Sequence, residues 1–230
     1  MTALDNTVPE PQQHLRRTAE FGWSCHCVAG ADPSAIVRQM DLIGDHIGTR
    51  VAGRAGSLDE VIQPRAIADA HPRSLSARYG LDALPFHIEL SHRAKPCRYI
   101  LLGCIDPGFP AAATMLLDWR NFKFSQQELD LLEAAPVLVR AGRRSFYSTI
   151  LASGGAFLRY DPGCIEALDA RGQNALSLVE DRIAHSASVA EVHHWRPGDI
   201  LIIDNWRVLH GRSSSDQGSG RRLARILINA

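Results

Sequence analysis

The second half of the chain is dominated by short runs of Val, Ile and Leu that are separated by Gly, Pro and Asp. Runs of this length and composition, bounded by turn-forming residues, are typical of β-strands. We predict strands at 61–62, 86–90, 97–105, 113–119, 137–140, 146–151, 156–160, 189–195, 200–203, 208–209 and 222–228.

Helical spacing appears in three places. Asp32 and Pro33 supply an N-cap and a first-turn proline before apolar residues at helical intervals, which predicts a helix from 33 to about 48. Ser125 and Glu128 have the spacing of a capping box and predict a second helix. A third helical region is expected beyond Pro162, with one apolar face and an interruption at Gly172. Its face comprises Leu168, Leu176, Val179 and Ile183.

Strands and helices do not alternate regularly, which argues against an open parallel sheet. We therefore predict a mainly β fold with flanking helices, built on a double-stranded β-helix (jelly-roll) core. Residues 1–230 are expected to form a single domain, with a flexible arm at 1–10. The Gly-, Arg- and Pro-rich segment 51–80 is expected to form loops, and long loops often cover a site.

The charge balance bears on the kind of partner. The chain has 25 basic and 25 acidic residues and no net charge, which argues against nucleic acid or a membrane surface as a partner. A small-molecule partner is the expectation, and the oligomeric state cannot be predicted.

The N-terminal residues do not form an apolar signal segment, so a cytoplasmic protein is expected. Five cysteines without framework spacing fit reduced thiols.

Cys25, His26 and Cys27 form a potential metal-binding tripeptide. Tetrahedral sites usually place more chain between two thiolates, so we interpret the tripeptide as a chance motif match and not as a metal site.

A stronger candidate for a metal site combines His87, Glu89 and His210. In an extended strand, residues two apart point to the same side, so His87 and Glu89 can converge on one point. Two histidines and one carboxylate form a facial set that suits Fe(II) with open positions. A His-x-Glu tripeptide also arises by chance among ten histidines, which include His193 and His194 beside Trp195.

Arg221 and Arg225 lie four residues apart in the last apolar strand, on one face. An unpaired guanidinium is costly to bury, so an anion is expected to meet them. Arg222 points to the opposite face, and a shift of one residue would exchange the roles of Arg221 and Arg222. Thr114 offers a hydroxyl to the same anion.

The order of these motifs resembles the taurine dioxygenase and clavaminate synthase-like group of Fe(II)/2-oxoglutarate-dependent oxygenases. The resemblance runs from Leu84 to the C-terminus and is most specific after Gly198. It implies that His87, Glu89 and His210 are iron ligands. It also implies that Thr114 and Arg221 bind 2-oxoglutarate, and that Arg225 contacts either the cosubstrate or an acidic group of the substrate.

The activity implied by this resemblance is hydroxylation of an unactivated C–H bond. Fe(II), 2-oxoglutarate and O₂ would be used, succinate and CO₂ released, and the substrate would be a small molecule, with an amino acid or derivative slightly preferred. Desaturation and ring formation stay open. The chain is short for the group, so a substrate-covering segment is expected to be reduced.

Other residues have two interpretations. Asp204 and Asn205 either orient His210 or form a turn, and the segment 159–161 either contacts a zwitterionic substrate or ends a strand, which we favour. Two alternatives to the enzyme are a catalytically silent jelly-roll that binds a metal or ligand, and an interaction module with packed histidines.

Overall fold

The apolar runs of the second half form antiparallel sheets in the computed structural model, which describes residues 11–28, 30, 32–54 and 56–230. The predicted flexible arm at 1–10 lies outside these residues. The helices are α1 (Pro11–Phe21), α2 (Pro33–Ile47), α3 (Ser76–Tyr79), α4 (Gln126–Ala134) and α5 (Ala170–Ser186), with 3₁₀ turns at Ile67–Asp69, Trp119–Phe122, Gly142–Arg144, Ser153–Gly155 and Ala187–Val189.

Thirteen strands lie within the described residues. They are β1 (Trp23–Cys27), β2 (Thr49–Arg50), β3 (Asp59–Ile62), β4 (Leu84–His87), β5 (Tyr99–Asp106), β6 (Thr114–Asp118), β7 (Val137–Val139), β8 (Phe146–Ser148), β9 (Ile165–Ala167), β10 (Glu191–His193), β11 (Asp199–Asp204), β12 (Val208–Arg212) and β13 (Arg222–Asn229).

Two facing sheets form the core of the molecule. The major sheet has the order β1-β11-β5-β13-β2, and β3 also pairs with β13; the minor sheet has the order β10-β6-β12-β4. Apolar side chains from both sheets meet between them, including Leu116 of the minor sheet and Leu201 and Leu223 of the major sheet. Every side chain of β11 is buried, because one face of that strand meets the minor sheet and the other meets a helix. The predicted jelly-roll with flanking helices is confirmed.

The helix α2 covers the outer face of the major sheet. Its N-cap is Asp32, whose side chain accepts a hydrogen bond from the backbone N–H of Ala35, as the sequence predicts. The helix packs closely at Gly103 of β5, where a Cβ atom would lie 2.3 Å from Met40 Sδ and 2.7 Å from Ile36 Cγ2. A glycine in the strand therefore allows the helix to contact the backbone of the sheet.

A third, smaller sheet, of order β8-β7-β9, packs with α4 and α5 at the other side of the minor sheet. The capping box of α4 is present: the Ser125 hydroxyl accepts from the Glu128 N–H, and the Glu128 side chain accepts from the Ser125 N–H. Gly172 does not interrupt a helix. It lies in the first turn of α5, where a side chain would collide with the Pro136 carbonyl oxygen at 2.5 Å.

Some predicted bounds are wrong. The strand predicted at 86–90 ends at His87, and the strand predicted at 156–160 is reduced to a single bridge between Leu151 and Leu158. The third helix begins at Ala170, after Asp169 has capped it, and Leu168 lies before it. The elements α1 and β1 were not predicted.

In the described part of the chain, the helices are too short or too polar to cross a membrane.

Candidate functional site

The pairing of β4 with β12 places His87 directly opposite His210. Their ring centroids are 4.4 Å apart, and Glu89 follows two residues after His87. One ligand atom from each of His87, Glu89 and His210 lies within 4.8 Å of the others. The structure therefore brings the three predicted iron ligands together, although Glu89 lies beyond the end of its strand and not within it.

The two histidines present free nitrogens to this point. Nδ1 of His87 lies 2.9 Å from the carbonyl oxygen of Pro85. A carbonyl can only accept, so Nδ1 carries the proton and Nε2 is left with a lone pair. Nδ1 of His210 is buried and has no hydrogen-bond partner among the described residues.

Glu89 is held by Asn205, which begins the turn after β11. The Glu89 N–H donates to Asn205 Oδ1 at 2.7 Å, and Asn205 Nδ2 donates to the carbonyl oxygens of Glu89 at 3.0 Å and Cys97 at 2.7 Å. Of the two roles considered for Asp204 and Asn205, the turn is present, and no hydrogen bond joins either residue to His210 in the described part of the chain; Asn205 instead holds the backbone of Glu89. Asp204 instead accepts from the backbone N–H of Trp206.

The electrostatics of the triad suit a divalent cation. Burial alone would raise the pKa of Glu89, but Arg225, His87 and His210 outweigh it and hold that pKa well below its usual range. Burial, and then the neighbouring His87, lower the pKa of His210 to about 3. At neutral pH the site therefore holds a carboxylate and a neutral imidazole, which are the protonation states that bind a metal.

Thr114 and Arg221 meet at one end of the cavity. The Thr114 hydroxyl accepts from Trp195 Nε1 at 3.0 Å and from Arg221 Nη2 at 3.2 Å. Arg221 is 5% exposed, and among the described residues it has no carboxylate partner. Burial lowers the pKa of Arg221 to about 10, and the nearby charge of Arg212 adds to this effect.

The neighbouring Arg222 is exposed and lies beside Asp106 at 3.9 Å. Of the two adjacent arginines, Arg221 is thus the one that faces the cavity, as the four-residue spacing to Arg225 predicts. A buried guanidinium with no carboxylate partner is costly, so its environment fits a carboxylate ligand.

Arg225 has partners that the sequence did not predict. Its guanidinium pairs with Glu60 of β3, and its Nη1 lies 2.5 Å from Glu89 Oε2. Glu60 reaches it because β3 pairs with β13 so that Glu60 lies opposite Arg225. The predicted contact of Arg225 with a cosubstrate or substrate stays a prediction, and its observed contact is with a candidate metal ligand.

Two further arginines near the site were missed in this role by sequence reasoning. Arg212 lies two residues after His210 on β12, lines the cavity, and donates to the carbonyl oxygens of Gly80 at 2.8 Å and Asp82 at 2.7 Å. Residues two apart in a strand point to the same side, so the spacing from His210 could have predicted that Arg212 faces the same cavity.

Arg159 is 2% exposed and donates to the backbone carbonyls of Ser91, Arg93 and Ala94. It therefore fixes the segment that follows Glu89. Asp161 accepts from the Gly163 N–H in a turn and also lines the cavity; the strand end that we favoured at 159–161 is absent, because only a single bridge forms at Leu158.

The three candidate metal ligands, Thr114 and the arginines Arg212, Arg221 and Arg225 line one cavity of about 570 Å³. Its wall includes the six residues predicted from the sequence, which are His87, Glu89, Thr114, His210, Arg221 and Arg225. A volume in this range suits a small molecule.

Comparison with known proteins gives consistent results. Residues 125–227 match the model of the family described as "Taurine catabolism dioxygenase TauD, TfdA family". A structure of asparagine oxygenase in complex with Fe(II), 2S,3S-3-hydroxyasparagine and succinate has a TM-score of 0.75 at 18% identity, covering 95% of this chain and 77% of that chain.

The non-heme iron oxygenase OrfP is also similar in structure. Its complex with Fe and alpha-ketoglutaric acid has a TM-score of 0.75 at 17% identity and covers 96% of this chain and 80% of that chain. No curated protein sequence matched the chain significantly. Residues 125–227, slightly less than half of the chain, are thus similar to the taurine dioxygenase TauD/TfdA family, and the solved non-heme iron oxygenases share the fold of this chain.

Proposed function

We propose that this chain is an Fe(II)- and 2-oxoglutarate-dependent dioxygenase that hydroxylates an unactivated C–H bond of a small molecule. One observation carries the proposal: His87, Glu89 and His210 converge in the same cavity as the buried Arg221, which has no carboxylate partner in the described part of the chain. The triad suits iron, and the arginine suits the far carboxylate of a dicarboxylic cosubstrate. Neither half alone would distinguish this activity from simple metal binding or anion binding.

The donor set fits Fe(II). Two imidazoles and one carboxylate on one side leave coordination positions open, and His210 Nδ1 has no hydrogen-bond partner among the described residues. When bound, Fe(II) and 2-oxoglutarate would supply the activation of O₂, with loss of CO₂, formation of succinate and transfer of one oxygen atom to the substrate. The protein supplies orientation and a partly enclosed cavity.

Thr114, Trp195 and Arg221 would anchor the cosubstrate. Arg221 can meet a carboxylate with two parallel N–H groups, and each charge then offsets the desolvation of the other. The hydrogen bond from Trp195 orients the Thr114 oxygen toward Arg221, so both groups are in place before the cosubstrate arrives.

For the substrate we propose an amino acid or an amino-acid derivative. Arg225 and Glu60 place a cation and a carboxylate side by side at the cavity wall, and Asp161 adds a second carboxylate. This charge pattern matches an α-ammonium and an α-carboxylate. The neighbours with asparagine- and arginine-derived products, 2S,3S-3-hydroxyasparagine and (3S)-hydroxy-L-Arg, support the same class.

The test is release of succinate from 2-oxoglutarate by the purified protein, with Fe(II), ascorbate and O₂, across a panel of free amino acids. The expected result is substrate-dependent succinate and a product heavier by one oxygen atom. His210→Ala should abolish both, whereas His194→Ala, which changes an exposed histidine, should retain them.

A catalytically silent jelly-roll would bind iron and 2-oxoglutarate without releasing succinate for any amino acid or carrier-bound amino acid. That result would overturn the proposal. The expectations of a cytoplasmic location, one domain over 1–230, and no nucleic-acid or membrane partner stay predictions.

A further inference from the structure

A second group of metal-binding side chains lies outside the candidate iron site. Cys25 of β1, His193 of β10 and Asp199 of β11 each place one ligand atom within 4.8 Å of the others. His193 Nε2 and Asp199 Oδ2 are 3.4 Å apart. The other two residues of the Cys-His-Cys tripeptide, His26 and Cys27, are not part of this group.

Strand pairing explains how the three residues meet. Asp199 lies opposite Cys27 across the pair of β1 and β11, and Cys25 lies on the same face of β1 as Cys27. His193 comes from the other sheet, where β10 pairs with β6. The group therefore spans the two sheets at the edge where β1 and β10 are the outermost strands.

The contacts of these side chains leave ligand atoms free. His193 Nε2 is buried, and no described residue hydrogen-bonds to it. Cys25 Sγ lies 3.8 Å from the His26 carbonyl oxygen, and the Ile200 backbone also hydrogen-bonds to it. Asp199 Oδ2 accepts from the backbone N–H of Arg196 at 2.9 Å, and the Cys27 thiol also hydrogen-bonds to the Asp199 carboxylate, so the carboxylate is held in place beside the group. A buried imidazole nitrogen without a partner is costly unless something binds it.

We propose that Cys25, His193 and Asp199 bind a zinc ion, with water in the fourth position. Thiolate, imidazole and carboxylate are all zinc ligands, at bond lengths of about 2.0–2.3 Å. A tetrahedral ion then requires ligand atoms roughly 3.3–3.8 Å apart. The His193–Asp199 pair is already in that range, and the distances from Cys25 Sγ, which are at most 4.8 Å, would shorten by about 1 Å on binding.

Metal binding at this site requires loss of a proton. Burial raises the pKa of the Cys25 thiol to about 12, and the charges of Asp199 and Cys27 add to this, so the free protein keeps the thiol protonated. The ion would bind the sulfur lone pair as the S–H bond breaks, and the proton would pass to the solvent. One thiolate and one carboxylate would then neutralise the ion.

The position suggests a structural role. The His193 ring packs edge-on against Trp195, with centroids 4.5 Å apart, and Trp195 Nε1 donates to Thr114. An ion that joins β1 and β11 to β10 would therefore close the edge of the jelly-roll directly behind the Thr114–Arg221 end of the cavity.

The experiment uses the full chain carrying His87→Ala and His210→Ala, so that the first triad cannot contribute, titrated with Co²⁺ as a spectroscopic substitute for zinc. About one equivalent should bind, with a thiolate-to-cobalt charge-transfer band in the near ultraviolet and the strong visible absorption of a tetrahedral ion. Cys25→Ser should remove the charge-transfer band. His193→Ala should weaken binding at least roughly 100-fold, whereas the adjacent and exposed His194→Ala should leave it unchanged.

A second measurement does not depend on the spectrum. Zinc at about 100 times its Kd should raise the Tm of the same double variant by roughly 5–10 °C. This rise should disappear when Asp199→Asn is added. Absence of the charge-transfer band in the His87→Ala/His210→Ala double variant would overturn the proposal. Its persistence in Cys25→Ser would do the same, because another cysteine would then be the ligand. If Cys25→Ser does not fold, the Co²⁺ spectrum of the double variant and the effect of His193→Ala on binding still test the proposal.

Discussion

Asn205 and Glu89 are 116 residues apart in the chain and exchange two hydrogen bonds, one in each direction between the Asn205 amide and the Glu89 backbone. The amide also donates to the carbonyl oxygen of Cys97. Glu89 lies beyond the end of β4, where no strand pairing holds it. Asn205 therefore performs for the third candidate ligand the function that the β4–β12 pairing performs for His87 and His210.

Changing Asn205 to Asp tests this relationship. Asp keeps the size and can still accept from the Glu89 N–H, but it cannot donate to the Glu89 and Cys97 carbonyl oxygens. We expect Fe(II) affinity to fall roughly 10–100-fold and the free energy of unfolding to fall by about 1–3 kcal/mol. Isothermal titration with Mn²⁺ as a redox-stable substitute and urea denaturation measure these effects. Asn121→Asp, at an exposed position, is the control. Unchanged metal affinity in Asn205→Asp would refute the role.

Substitutions of the adjacent Arg221 and Arg222 test the cosubstrate site, and Arg222 serves as the matched control. Arg221→Ala should raise the KM for 2-oxoglutarate by roughly 100-fold or more, because charge-assisted hydrogen bonds to a carboxylate contribute about 1.5–3 kcal/mol each. Arg222→Ala removes the same charge from the exposed face and should change KM less than about twofold. Initial rates of succinate release at varied 2-oxoglutarate measure both. Equal effects of the two variants would contradict the assignment.

Arg159 is expected to stabilise the segment that follows Glu89. Burial lowers the pKa of its guanidinium to about 10, and it donates to the carbonyls of Ser91, Arg93 and Ala94. Arg159→Met would leave those buried acceptors without donors, and we expect the free energy of unfolding to fall by about 3 kcal/mol or more. Urea denaturation measures this fall. Arg144→Met, at an exposed position, should change it by less than about 0.5 kcal/mol.

The metal-free protein should lose stability as pH falls below neutrality. Burial is the largest cause of a lowered pKa at five histidines, namely His14, His26, His92, His193 and His210. In the unfolded chain a histidine takes up a proton near pH 6.5, whereas folded His92 does so at about 4. The unfolded state therefore binds more protons in this window, and stability is full above about pH 6.5 and decreases toward pH 4.

Tm measured between pH 7.5 and 4 tests this expectation. His92→Gln should make the decrease shallower, because His92 then no longer contributes to the difference in bound protons. A Tm that is flat from pH 7 to 5, or a variant with the same slope as the parent, would contradict the account.

The sequence by itself determined the features that depend on local periodicity. The cap at Asp32, the capping box at Ser125, and the alternation that separates Arg221 from Arg222 are all readable, because side-chain direction in a helix or strand follows from spacing alone. The strand composition determined the fold class, and the motif order pointed to His87, Glu89 and His210.

Only the tertiary structure decided which distant groups meet. Glu60 reaches Arg225 across 165 residues because β3 pairs with β13, and Asn205 reaches Glu89 across a turn that no periodicity describes. Cys25 faces His193 from the other sheet and not its own neighbour His26. The pattern along the chain predicts which face of an element a side chain occupies. What that face contacts depends on the register and stacking of the sheets, which are set by packing over the whole core.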